Sequence, residues 1–276
     1  MPFYVSPEQA MRDKADFARK AITRGRSGVV IDCDAGILFV SPNASRALHK
    51  FSELYDRIAF AAAGRYNEFE RLRQAGVRYA DLTGYQYDRQ DVTARGLANW
   101  YAQVLGTIFI ESNKPLEVEI VVAEVGPGPD DDQIYRITFD GTVAEEHHYL
   151  VMGGETQPVA AVLQERYTEG STLAGAMAVA VAALAAGQAA AGQGGGAAQG
   201  NGSAERTEIT AASLEVATLD RTRTSHRMFR RLEGARLEAL LAEARVSGTA
   251  AAPPDAPGTS AAPDAAAAEP DDSPGA

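Results

Sequence analysis

The stretch SPEQAMRDKADFARKAITRGRSGVVIDCDAGILFV, residues 6–40, puts a helix in front of a pair of strands. Ser6 is a good N-cap, Pro7 suits the first helical position, and Gln9 completes a capping box. Met11, Ala15, Ala18 and Ile22 recur at helical spacing, and Gly25 is a natural C′ stop. Gly28–Ile31 and Gly36–Val40 are then apolar runs of strand length, joined by Asp32-Cys33-Asp34-Ala35.

The same pattern continues downstream. Ile58–Ala63 is a third apolar run, ended by Gly64. Two helices follow, striped by Phe69, Leu72, Gly76 and Ala80 and by Leu97, Tyr101, Val104, Leu105 and Ile108. The second starts near Asp91 and stops before Pro115. Leu116–Val125 and Ile134–Phe139 read as an antiparallel pair around Gly-Pro-Gly-Pro-Asp, and Tyr149–Met152 is a strand ended by Gly153-Gly154. Helices are expected over 157–167 and 171–186, strands over Leu214–Leu219 and Arg227–Leu232, and a last helix over 234–245. Strand pairs separated by helix pairs, without regular βαβ alternation, predict an α+β fold of two antiparallel sheets with helices on both outer faces.

Composition marks the segments outside this body. Gly170 to Ala204 holds no charged residue. Its first part carries a helical stripe (Leu173, Met177, Val181, Leu184) too short for a membrane span before Gly187. The Gly/Ala/Gln/Asn run that follows predicts a flexible loop over 187–205. Residues 246–276 hold six prolines, eleven alanines, five acids and no base, and predict a disordered acidic tail. The main domain is expected over 7–245. With 26 basic against 37 acidic residues, net −11, the chain is a poor candidate for nucleic acid or an anionic membrane. A single cysteine excludes an intrachain disulfide and a cysteine zinc cluster. Met-Pro-Phe-Tyr-Val lacks the basic and apolar regions of a signal peptide.

Several blocks together resemble a known family. Ser6-Pro7-Glu8-Gln9-Ala10-Met11, Ser52-Glu53-Leu54-Tyr55-Asp56-Arg57, Ala61-Ala62-Ala63-Gly64 with Asn67-Glu68-Phe69, Gly84-Tyr85 with Tyr87-Asp88-Arg89, Tyr101-Ala102-Gln103 with Leu105-Gly106-Thr107-Ile108-Phe109, and Val151-Met152-Gly153-Gly154 are similar to a bacterial (actinobacterial) 20S proteasome alpha subunit. The likeness spans about 3–186 and 212–242. It implies a four-layer αββα sandwich, the N-terminal nucleophile hydrolase-like subunit fold. It also implies a cytoplasmic, heptameric outer ring stacked on beta subunits that carry the peptidase activity.

Active subunits of that family use an N-terminal threonine whose own amine is the base. Here the matching position falls near Arg26-Ser27, behind a helix, and the acid of the next strand is replaced by Ser41-Pro42. The resemblance therefore implies a noncatalytic chain without a cofactor. The alternative is a self-processed N-terminal nucleophile hydrolase, cleaved near Ser27.

By the same resemblance, Lys50, with Gly25 and Gly64 as close backbone walls, forms a pocket for the C-terminal tail of a ring ATPase. An ammonium beside a ligand carboxylate makes a charge-assisted hydrogen bond of roughly 1.5–3 kcal/mol. The helix starting near Tyr66 or Asn67 adds its positive end. Residues 1–6, with Pro2, Phe3, Tyr4 and Val5, are the implied gate segment, and Asn113-Lys114-Pro115-Leu116 the implied constriction. Tyr55-Asp56-Arg57 lies mid-chain and is not assigned to the gate.

Other motifs take plainer readings. Glu145-Glu146-His147-His148 holds metal-ligating types, but neighbours on a strand face opposite ways, so it reads as a solvated strand end. Cys33 between two acids is a structural thiol. Arg221, Arg223, Arg227, Arg230 and Arg231 read as an edge-strand guard or subunit contact. Gly153-Gly154 lacks the Lys and Ser/Thr of a phosphate loop.

Overall fold

The computed structural model describes residues 6–45, 47–194 and 209–250. Two five-stranded antiparallel sheets lie face to face. The first has the order β10-β9-β2-β1-β8, built from β1 (Gly28–Cys33), β2 (Gly36–Pro42), β8 (Tyr149–Met152), β9 (Leu214–Asp220) and β10 (Phe229–Leu232). The second has the order β3-β4-β5-β6-β7, from β3 (Phe51–Tyr55), β4 (Ile58–Gly64), β5 (Val118–Glu124), β6 (Gln133–Ile137) and β7 (Val143–Glu146).

Both faces of the central strands are covered, which is why they read as unbroken apolar runs. Along β1 and β2, Val29, Ile31, Leu38 and Val40 face the helices α4 (Thr156–Arg166), α5 (Leu173–Gly194) and α6 (Ala235–Ala250). Val30, Ile37 and Phe39 face the other sheet. Along β4, Ala59, Ala61 and Ala63 face inward between the sheets, while Ile58, Phe60 and Ala62 meet α2 (Tyr66–Gln86) and α3 (Ala94–Glu111). The two-residue strand period thus sorts the chain into three cores and four layers, αββα. Each large aliphatic or aromatic side chain so buried contributes roughly 1.5–3 kcal/mol.

The α2 stripe is buried as its spacing requires, at Phe69, Leu72, Gly76 and Ala80. Gly76 is needed by its neighbour helix: a Cβ there would lie 1.9 Å from the Tyr101 hydroxyl, which donates to Leu72 O at 3.1 Å. In α1 (Pro7–Thr23), Ala18 and Ile22 close the inter-sheet core, while Met11 stays exposed. Lys14 fixes this helix by donating to Phe109 O and Ser112 O at the C-terminus of α3, where a cation meets the negative end of the dipole.

Several expectations are corrected. The α1 capping box is half formed: Ser6 accepts from Gln9 N–H, but the Gln9 amide turns to Asp13. Gly25 is not left-handed; its N–H bonds Ile22 O beyond the C-cap Arg24. α3 begins at Ala94, capped by Thr93, rather than near Asp91. α5 does not stop before Gly187 but runs to Gly194, because the alanines on either side sustain it and Gly187 packs on Val159. The expected loop is thereby shortened at its start, and 195–208 lies outside the described residues. α6 reaches Ala250, so the expected tail begins inside a helix, and 251–276 lies outside the described residues, as does the Pro2–Val5 segment. α5 is long and apolar enough to cross a membrane over Leu173–Gly192. Ala176, Met177, Ala180, Ala183 and Leu184 instead bury it against the first sheet and its neighbouring helices.

The arginine patch is mostly spent on internal contacts. Arg227 pairs with Glu53, and Arg231 donates to Phe51 O at 2.6 Å, so β3 of one sheet is tied to the β10 end of the other. Arg221 binds Asp132 at 2.6 Å and Gly126 O at 3.1 Å. Cys33 is a buried free thiol, pushed up to about 12 by that burial. Glu146 pairs with Arg136, and no metal-holding cluster occurs among the described residues.

Candidate functional site

Lys50 ends the β2–β3 loop, and its position is set by the strand that follows. Its carbonyl accepts from Ala62 N–H at 3.1 Å, continuing the β3–β4 ladder by one step. Its side chain turns toward the first sheet. There Nζ donates to Arg26 O at 2.7 Å and to Ser41 Oγ at 3.0 Å, and Ser41 Oγ donates in turn to Ser27 O at 3.0 Å. An ammonium has three N–H groups, so one remains for an outside acceptor. Burial pushes Lys50 down to about 8; the Glu215 carboxylate opposes this and Arg26 adds to it. Lys50 is thus a cation held short of full hydration, which strengthens its attraction for an anion.

Gly25 adjoins Arg26, whose carbonyl Lys50 grips, and it lines a cavity of about 680 Å3 with Arg24, Ser27, Glu155 and Gln188. Lys50 and Gly64 are not among the lining residues. Gly64 connects more remotely: a Cβ on Gly153 would lie 2.7 Å from Cβ of the adjacent Ala63 and 3.3 Å from Arg26 O. Gly64 has a local reason to be glycine. Its φ is +108°, and a Cβ would sit 1.9 Å from Glu117 O. The positive end of α2 is also already answered. Glu68 stands in its first turn and is bonded by Lys114 at 2.9 Å and by Glu117 N–H at 2.7 Å. The structure therefore links Lys50 to Gly25 only through the neighbouring Arg26 and sets Gly64 at the margin.

A serine and a lysine of depressed pKa within 3.0 Å is the arrangement of an activated nucleophile. Here it cannot act as one. Ser41 is 0% exposed and its hydroxyl proton is committed to Ser27 O. Ser27 lies behind α1, and its hydroxyl donates to Glu155 O at 3.4 Å.

Sequence reasoning missed Glu215. It is 8% exposed on β9 and accepts from the N–H groups of Lys50 and Phe51. The signal was present: one acid between Leu214 and Val216 in a run of buried residues.

A sandwich of this topology with a helix ahead of its first strand defines a class, and the comparisons agree. The family model described as Proteasome subunit matches residues 23–198. Proteasome subunit alpha of Thermobifida fusca is 60% identical over 244 residues, covering 88% of this chain and 92% of the relative. That of Thermomonospora curvata is 60% identical over 88% and 98%, and that of Streptosporangium roseum 58% identical over 96% of both. The chain belongs to the proteasome subunit family. Within it the chain is of the alpha type, the noncatalytic kind.

Proposed function

We propose that this chain forms the heptameric outer ring of a cytoplasmic proteasome core, stacked on beta subunits. In this reading it admits substrates through a gate made by residues 1–6 and docks the C-terminal tails of a ring ATPase at Lys50. The observation that carries the docking reading is the Lys50 ammonium, half-buried, fixed by Arg26 O and Ser41 Oγ, with one donor spare. A tail carboxylate supplies the missing acceptor. One such contact is weak, and several tails reaching several pockets of a ring bind by avidity. The 113–116 loop, tied by Lys114 to Glu68 and Glu117, frames the entrance below the gate in this reading.

The test is ATPase-stimulated protein degradation by a core co-assembled with beta subunits. Lys50→Ala is expected to leave assembly and small-peptide hydrolysis intact and to abolish the stimulation. Undiminished stimulation would remove Lys50 from the docking site.

A further inference from the structure

The β2–β3 loop has local turns, with Ser45 N–H donating to Asn43 Oδ1 and Leu48 N–H to Ser45 Oγ, and it is also held from across the molecule. Both of its ends converge on one carboxylate of β9. Glu215 accepts from Lys50 N–H at 2.9 and 3.1 Å, from Phe51 N–H at 3.1 Å, from Asn43 Nδ2 at 2.7 Å and from Arg231 Nη1 at 3.0 Å. Asn43 opens the loop and Lys50 closes it; the Asn43 amide also reaches Leu48 O at 2.7 Å. His49 Nδ1 lies 3.5 Å from the same carboxylate without a hydrogen bond. Burying an acid is costly unless its lone pairs are answered, and these donors answer them.

We propose that Glu215 is the positioning residue of the Lys50 docking site, fixing the main chain at Lys50 so that its ammonium spans to Arg26 O and Ser41 Oγ with one N–H left for an incoming carboxylate. The inference rests on the docking reading and deepens it. Two effects follow from one group. The hydrogen bonds remove the freedom of a loop that would otherwise lose entropy on docking. The negative charge opposes the burial and the Arg26 charge that both press Lys50 toward its neutral form.

The experiment uses the full chain co-assembled with its beta subunit, as wild type, Lys50→Ala, Glu215→Gln and Asn43→Ala. The probe is a short synthetic peptide ending in the free C-terminal carboxylate of the ring ATPase, with its carboxamide as control. Binding is read by fluorescence anisotropy. In parallel, reductive 13C-methylation reports lysine titration; the four lysines of this chain, Lys14, Lys20, Lys50 and Lys114, are few, and the Lys50→Ala assembly identifies the Lys50 signal by its loss against the beta-subunit background. Glu215→Gln is expected to weaken the peptide about tenfold or more, as loss of a buried anchoring group does. It is also expected to move the Lys50 midpoint below that of the wild type, which a purely structural role would not do.

If Lys50→Ala weakens binding while Glu215→Gln matches the wild type in both readouts, the inference is overturned and docking at Lys50 stands. If Lys50→Ala binds like the wild type, the docking reading fails and this inference with it. Should Glu215→Gln not assemble, Asn43→Ala decides, because it frees the loop and leaves the charge. Several-fold weaker binding with an unmoved Lys50 midpoint supports the positioning role, and wild-type binding overturns it.

Discussion

The Lys50 ammonium lies 2.7 Å from the main-chain carbonyl oxygen of Arg26. That carbonyl belongs to the peptide bond immediately before Ser27, where a cleaved subunit would present a new amino terminus. The contact ties the Lys50 side chain to the main chain at the point where cleaved and uncleaved uses of this scaffold would differ.

Docking should depend on pH with a definite sign. Lys50 in the free chain is lowered to about 8 by burial, with Arg26 lowering it further and Glu215 opposing. A bound carboxylate favours the charged form, so the bound lysine titrates higher. Affinity for a tail peptide is then flat below about pH 8. Above it, affinity falls toward about tenfold per pH unit until the bound lysine also loses its proton. Isothermal titration at pH 7, 8 and 9 checks this, with net proton uptake on binding at pH 9; a flat profile would contradict it. For stability the sign is opposite. The folded value lies below the unfolded one, so the unfolded chain holds more protons between them, and this group's cost to the fold is relieved as pH rises from about 8 toward 10.5.

Gly64→Ala should destabilise the fold itself, whatever binds nearby. The new Cβ would meet Glu117 O at 1.9 Å with φ at +108°. The loss is expected to be about 3 kcal/mol, as strain of this kind combines with displacement of β5. Denaturant unfolding of the isolated chain checks it, and a loss below about 0.5 kcal/mol would show that the β4–β5 end relaxes freely.

Arg221 and Asp132 should behave as a coupled buried pair, with side chains 11% and 4% exposed. Burial raises the Asp132 carboxyl, against the pull of Arg221. Arg221→Met strands that carboxylate and should cost about 3–5 kcal/mol at neutral pH. The cost should shrink as pH falls and Asp132 takes up a proton, because its folded value then lies above the unfolded one. Adding Asp132→Leu to Arg221→Met should recover most of the loss; additive losses in the double-mutant cycle would deny the coupling.

Removing Met1–Val5, which leaves the Ser6 cap of α1 in place, should raise basal hydrolysis of small peptides by the assembled core without changing the peptidase itself. The comparison is initial rates of the truncated and full-length assemblies on a fluorogenic peptide. Equal rates would mean that the segment does not close the pore.

The elements legible in the sequence were those whose periodicity was enforced by burial. β1, β2, β4 and α2 fell where their apolar patterns put them. β3 and β7 were missed because Phe51–Tyr55 and Val143–Glu146 carry acids at sheet edges, although Asp140-Gly141 ahead of β7 is a hairpin signature that could have found it. The end of α5 was missed because local glycine content argues for a stop while packing on α4 sustains the helix. At the site, Lys50 was legible through the blocks around it. Its partners were not: Arg26 O is a main-chain atom, and Glu215 lies 165 residues away, a contact that no local pattern encodes.

Native mass spectrometry of the chain co-expressed with its beta subunit tests the central claim most directly. Complexes built from rings of seven copies of this chain, carrying its uncleaved amino-terminal helix and hydrolysing peptides only when the beta subunit is present, are the predicted result. A monomer that ignores the beta subunit, or a chain trimmed near Ser27 that hydrolyses peptides alone, would contradict it.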